Sequence, residues 1–202
     1  VKALQSIGDT PLQLDSTIPE VLEAALRVYN GKPIVNSVNG EEASLQAILP
    51  LVKKYGAAVV GLTLDENGIP KKADDRFAIA KRILERAMAM GIPKQDVYID
   101  CLTLTVSAQQ AEAAETLKAV RMVREKLGVH AVLGVSNISF GLPNRPLINS
   151  TFFSMCLAAG LDAPIMNPYD DSMQNALMAS MALLGKDPNG RDYSRNEANL
   201  AV

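Results

Sequence analysis

The chain has 202 residues, 48 % hydrophobic and 21 % charged, with a formal net charge of −2. That composition supplies a core and excludes the low-hydropathy, high-charge signature of disordered chains; the slight acidity gives no electrostatic case for nucleic acid, which calls for a basic patch. No apolar run reaches the roughly 18 residues of a membrane span, and VKALQSIGDT at the start lacks the apolar stretch and cleavage site of a secretory signal. Cys101 and Cys156 lie far apart and outside CxxC spacing, so they read as two reduced thiols of a cytoplasmic protein.

Taken in chain order, the pattern alternates. LQLD (12–15) is a short apolar run, and the spacing of Leu22, Ala25, Leu26 and Tyr29 predicts a helix over 19–29 with Ser16 or Thr17 as its N-cap. PIVN (33–36) precedes a helix over 41–55. AAVVGLTL (57–64), with its paired valines, precedes a polar loop over 65–74 and a helix over 75–90. VYID (97–100) precedes a helix over 108–127, AVLGVS (131–136) a helix over 147–159, and APIM (163–166) a helix over 171–184. Residues 186–202 are polar without apolar period and read as a tail or linker after a domain spanning 1–185.

Strict strand-then-helix repetition means a parallel sheet, either doubly wound or a barrel. The runs are apolar without alternation, so both strand faces should be buried. Neither GxGxxG nor GxxxxGK[ST] occurs. Nearly every strand ends in a polar residue: Asp15, Asn36, Thr63, Asp100, Ser136 with Asn137, and Asn167. In a barrel all such ends converge on one mouth, whereas in an open sheet only those beside the switch point reach a ligand. The expected fold is therefore an α/β, TIM-type (β/α) barrel. Such a barrel has eight units in about 250 residues, and the pattern shows six. The sequence opens almost directly on a strand, so the first two units are expected to be lacking.

The mouth inventory is two carboxylates, side-chain amides and hydroxyls, with no catalytic histidine. Asp15, Asn36 and Asp100 can bond in plane to a flat heterocycle, and a carboxylate accepts two parallel N–H groups from an amine beside a ring N–H. Read as structure alone, the same residues are helix caps and loop satisfiers. His130, the sole histidine, precedes a strand and belongs at the barrel bottom. Met88, Met90, Met155, Met178 and Met181 read as core filler. Gln109, Gln110 and the AEAAE run (111–115) read as a solvated helix start whose acids complement the helix dipole.

LQLDST (12–17), PIVNSVN (33–39), GLTLDENGIP (61–70), VYIDCLTL (97–104), VLGVSNISFGLPNRPLIN (132–149) and AGLDAPIMNP (159–168) resemble the pterin-binding methyltetrahydrofolate methyltransferases. These include the pterin-binding domain of cobalamin-dependent methionine synthase and the corrinoid iron–sulfur protein methyltransferases. The resemblance runs to about residue 185, and GVSN…NRPLIN is its most specific part. It implies that Asp15, Asn36 and Asp100 hold the pterin edge, Gly134 and Ser136 line the ring face, and Asn137 bonds near N5. Arg145 would stand near the mouth, toward the folate tail. It further implies methyltetrahydrofolate as substrate, and a cobalamin or other corrinoid on a partner domain or protein as methyl acceptor. No nucleophile is then needed in this chain, which fits the lack of a Ser–His or Cys–His pair. Phe140 stands where the iron–sulfur protein enzymes carry a polar residue and methionine-synthase-type domains tend to carry Phe. The family's second-strand Asp-x-Asn motif has no counterpart here. The alternatives are a dihydropteroate synthase-like pterin enzyme, against which the absence of a Ser-Lys-Arg-like segment after Asn137 argues, and a non-catalytic folate-binding fragment. The two unpaired sheet edges of an incomplete barrel predict a homodimer or other self-association.

Overall fold

A computed structural model describes the backbone of residues 1–200 and the side chains of residues 1–195. Six strands, β1 (Gln13–Asp15), β2 (Ile34–Asn39), β3 (Ala58–Leu62), β4 (Val97–Asp100), β5 (His130–Gly134) and β6 (Ala163–Ile165), form one sheet in the order of the sequence. Every pairing is parallel. The sheet curls into a half-barrel, with β1 and β6 as its two edges. A four-residue helix, α1 (Lys2–Gln5), precedes the first strand. The crossovers are α2 (Pro19–Arg27), α3 (Glu42–Tyr55), α4 (Ala73–Ala89), α5 (Glu112–Met122) and α6 (Arg145–Ala159); α7 (Asp171–Leu183) follows β6. The polar tail carries a 3-10 turn (Pro188–Gly190) and a helix, α8 (Arg191–Leu200); its last two residues lie outside the described ones.

The core sits between the sheet and its helices. Val35, Val59, Ile99, Ala131 and Leu133 from the strands are buried together with Leu45, Leu49 and Val52 of α3, Ile83 of α4, Val120 of α5 and Phe153 of α6. These helix positions recur at three- and four-residue spacing, the stripe that an amphipathic helix turns to a sheet. Each such aliphatic side chain contributes about 1.5–3 kcal/mol on burial. Gly56, left-handed at φ 64, ends α3 and turns the chain into β3. Asp170 caps α7 by accepting from the Ser172 and Met173 amides.

Several expectations are corrected. Burial on both strand faces holds for most of β3, β4 and β5, but β2 is fully buried only at Val35 and Val38, β1 alternates exposed–buried–exposed, and Ile165 of the edge strand β6 is 44 % exposed. The N-cap of α2 is Ile18, with no side-chain cap. Ser16 instead uses its hydroxyl to accept from the Ile18 amide. The helix expected from 108 begins at Glu112 and continues through a π turn (Val123–Leu127) closed by left-handed Gly128. Glu112 is not solvated; it is 2 % exposed because Arg76 meets it from α4. Met88 and Met155 are exposed rather than core filler. Met155 instead joins Leu147 and Phe152 along an apolar groove between α5 and α6.

Candidate functional site

Parallel strands all run the same way, so their C-terminal ends share one edge of the sheet. The register makes this concrete. Asp15 lies opposite Asn36, Leu62 opposite Asp100, and Gly134 opposite Ile165. The residues expected at a mouth are thus brought to one rim, and Asn36 Nδ2 donates to Asp15 Oδ2 at 3.2 Å. Asp15 is exposed and Asn36 half-buried, so the first carboxylate of the rim is wet.

Asp100 is different. It is 8 % exposed, and its Oδ1 accepts from the Leu102 amide at 2.7 Å. Burial pushes its carboxyl from the usual 3.8 up to about 6, and the Leu102 bond opposes that rise. Thr63, the end residue after β3, donates its amide to the Asp100 carbonyl at 3.0 Å. The Thr63 and Thr103 hydroxyls are buried without a partner among the described residues. Cys101, beside Asp100, is wholly buried, and burial pushes its thiol well above the usual range, so it packs and stays protonated.

After β5 the chain enters a 3-10 turn (Val135–Ser139) that carries Ser136 and the exposed Asn137. The Asn137 amide folds back toward Gly134: a Cβ on Gly134 would lie 3.3 Å from its Nδ2. Arg145 opens α6 and bends onto this turn. Its Nε donates to Ser139 Oγ at 2.9 Å and its Nη2 to the Ser136 carbonyl at 3.0 Å. Its guanidinium lies 4.7 Å from the ring centre of half-exposed Phe140. Arg145 therefore braces the turn that carries Asn137. Asn167 is spent locally, its Oδ1 accepting from the Tyr169 amide at 3.0 Å.

His130 begins β5, at the opposite end of the sheet. Its ring stacks on Tyr98 at 4.8 Å and its Nδ1 lies 2.7 Å from Asp162 Oδ2. What the sequence reading missed is the support behind Asp100: the Leu102 amide, and Arg76 with Glu112. An Arg at a helical spacing among charged residues gives no signal of burial, and a leucine gives none of positive φ.

The sequence model for "Pterin binding enzyme" matches residues 1–167. The chain is 32 % identical over 195 residues to a methylcorrinoid:tetrahydrofolate methyltransferase of Eubacterium limosum, covering 95 % of this chain and 72 % of that one. It is 37 % identical over 177 residues to the methionine synthase of Mycobacterium leprae (strain TN), covering 81 % of this chain but only 15 % of that much longer protein. Among solved structures, the 7,8-dihydropteroate synthase of Vibrio fischeri ES114 superposes with a TM-score of 0.72 at 14 % identity, covering 93 % of this chain and 72 % of that one. A dihydropteroate synthase of Thermus thermophilus gives a TM-score of 0.67 at 19 % identity, covering 90 % and 73 % respectively. At such identities the likeness speaks for the fold alone, a barrel of which this chain forms six strands. With that fold, the polar rim at its strand ends and the sequence match over most of its length, the chain belongs to the family of pterin-binding enzymes.

Proposed function

We propose that the chain binds methyltetrahydrofolate through its pterin ring and serves transfer of the N5-methyl group between that folate and a corrinoid cobalt. In this reading it is the cytoplasmic pterin module of a methionine-synthase-type methyltransferase. The observation that carries the reading is the grouping of Asp15, Asn36 and desolvated Asp100 on one rim of the sheet. Two carboxylates around an amide offer acceptors for the amine and ring N–H groups of a pterin, and a donor for its carbonyl. Buried, Asp100 accepts such bonds away from competing water, where they are stronger. The unpaired Thr63 hydroxyl beside it is a further polar group that a bound ring or a site water satisfies.

A corrinoid on a partner domain or protein would supply the cobalt that exchanges the methyl group with the folate. The residues of this chain do the rest. Asp15, Asn36 and Asp100 fix the ring edge, and Gly134 and Ser136 leave its face unobstructed. Asn137 bonds N5, the atom whose charge changes as the methyl group leaves or arrives. An amide follows either protonation state by rotating, and a donor aimed at developing charge stabilises the transition state more than the bound substrate. Arg145 holds the turn that aims it.

Calorimetric titration with methyltetrahydrofolate, followed by methyl transfer to free cob(I)alamin, tests the reading. Saturable binding and transfer are expected. Binding of a pterin diphosphate without methyltetrahydrofolate would replace it with a dihydropteroate synthase reading. Folate binding without transfer would leave a binding module.

A further inference from the structure

Arg76 lies in the first turn of α4, behind the loop that follows β4, and is fully buried. Its guanidinium finds a partner for every nitrogen. Nε donates to the Pro70 carbonyl at 2.7 Å, in the loop after β3. Nη1 donates to the Cys101 and Leu102 carbonyls, each at 3.3 Å, in the loop after β4, and to Thr116 Oγ1 at 3.0 Å. Nη2 pairs with Glu112 of α5. Thr116 in turn donates to the Leu102 carbonyl at 3.1 Å.

Leu102 is where these bonds converge. It adopts φ 58, a left-handed conformation that costs a non-glycine residue free energy and persists only when its surroundings hold it. Its carbonyl is held by Arg76 and Thr116, and its amide, turned the opposite way, donates to Asp100 Oδ1. The Leu102 amide shares its peptide group with the Cys101 carbonyl, which Arg76 also holds, so that peptide cannot be turned at one end without moving the other.

We propose that Arg76 is a positioning residue for the rim carboxylate: by fixing Leu102 in its left-handed conformation, it aims the amide that holds Asp100 in its binding orientation. This deepens the pterin reading and rests on it. The fork acts through the backbone, and a lysine, with one point of charge, cannot bond Pro70, Leu102 and Glu112 at once. The titratable groups around Asp100 are the Cys101 thiol, kept protonated by burial, and the Arg76–Glu112 pair behind the loop. Among the described residues, the Leu102 amide is the one contact that favours the ionised form of Asp100. Losing its alignment raises the carboxyl further.

The test follows the Asp100 carboxyl carbon by 13C NMR across pH 4–8 in the free protein, with a thermal melt of each variant. Arg76→Met alone strands a buried carboxylate, so the informative variants are the pair Arg76→Met with Glu112→Leu, and Arg76→Lys. In both, the Asp100 midpoint should rise while the melt stays cooperative. Affinity for methyltetrahydrofolate at pH 7.5 should fall about tenfold, the loss of one bond to a charged group. A wild-type midpoint in both folded variants would overturn the proposal. A raised midpoint with unchanged folate affinity would keep Arg76 as the positioning residue and overturn the pterin role of Asp100 instead.

Discussion

Asp100→Asn should make the protein more stable while removing its ability to hold the pterin. The charged carboxyl sits 8 % exposed with one hydrogen bond, and burial lifts it from 3.8 to about 6. A folded-state value above the unfolded one means that ionisation opposes folding. The contribution of the neutral acid is complete below 3.8 and is lost as pH rises through 6. At about 1.4 kcal/mol for each tenfold change in proton affinity, the charge costs about 3 kcal/mol above pH 7. Asparagine keeps an oxygen for the Leu102 amide and carries no charge. Urea denaturation of both proteins from pH 4 to 8 should show the variant gaining up to about 3 kcal/mol at pH 8 and little near pH 4, with methyltetrahydrofolate binding lost throughout. A variant less stable than wild type at pH 8, or a difference independent of pH, would refute the claim that Asp100 is held charged at a cost.

Asn137→Ala should lower the methyl-transfer rate by about 10²–10³ with a far smaller effect on folate affinity, because the N5 bond strengthens only as charge develops; single-turnover rates beside calorimetry separate the two, and equal losses would reject the division of roles. Gly61→Ala places a Cβ 2.8 Å from Ile83 Cγ2, between β3 and α4, and should cost about 1–3 kcal/mol in a thermal melt. The open edges β1 and β6 should make the isolated chain self-associate in light scattering; a soluble, cooperatively melting monomer would show that those edges protect themselves.

The six-strand order was legible because short apolar runs such as AVVGL, which two-sided burial explains, alternate with helical periods along the whole chain. The rim was legible for a related reason: a polar residue ending such a run has few places to go but the strand-end edge. Arg76 and Glu112 were not, since their pairing spans 36 residues and an acidic helix start looks the same whether it faces water or a buried cation. Leu102 was opaque because its φ is imposed by tertiary bonds, whereas turn chemistry announces itself only through Gly, Asn or Asp. Ser16 misled as a cap because a hydroxyl two residues before the actual N-cap, Ile18, serves equally well in a local turn.

The Arg76 knot also decides where this half-barrel can be divided. Its bonds join the β3–α4 unit to the β4–α5 unit, so separating the two units, or exchanging one for a unit that lacks its half of the pair, leaves a guanidinium or a carboxylate buried alone. The β1–α2 and α7 ends carry no such buried ion pair among the described residues. The interior pair should behave as one block in hydrogen exchange, opening only together, while the flanks open first. Grafting in this scaffold is therefore open at its flanks and closed at its centre, where two successive modules are for practical purposes one.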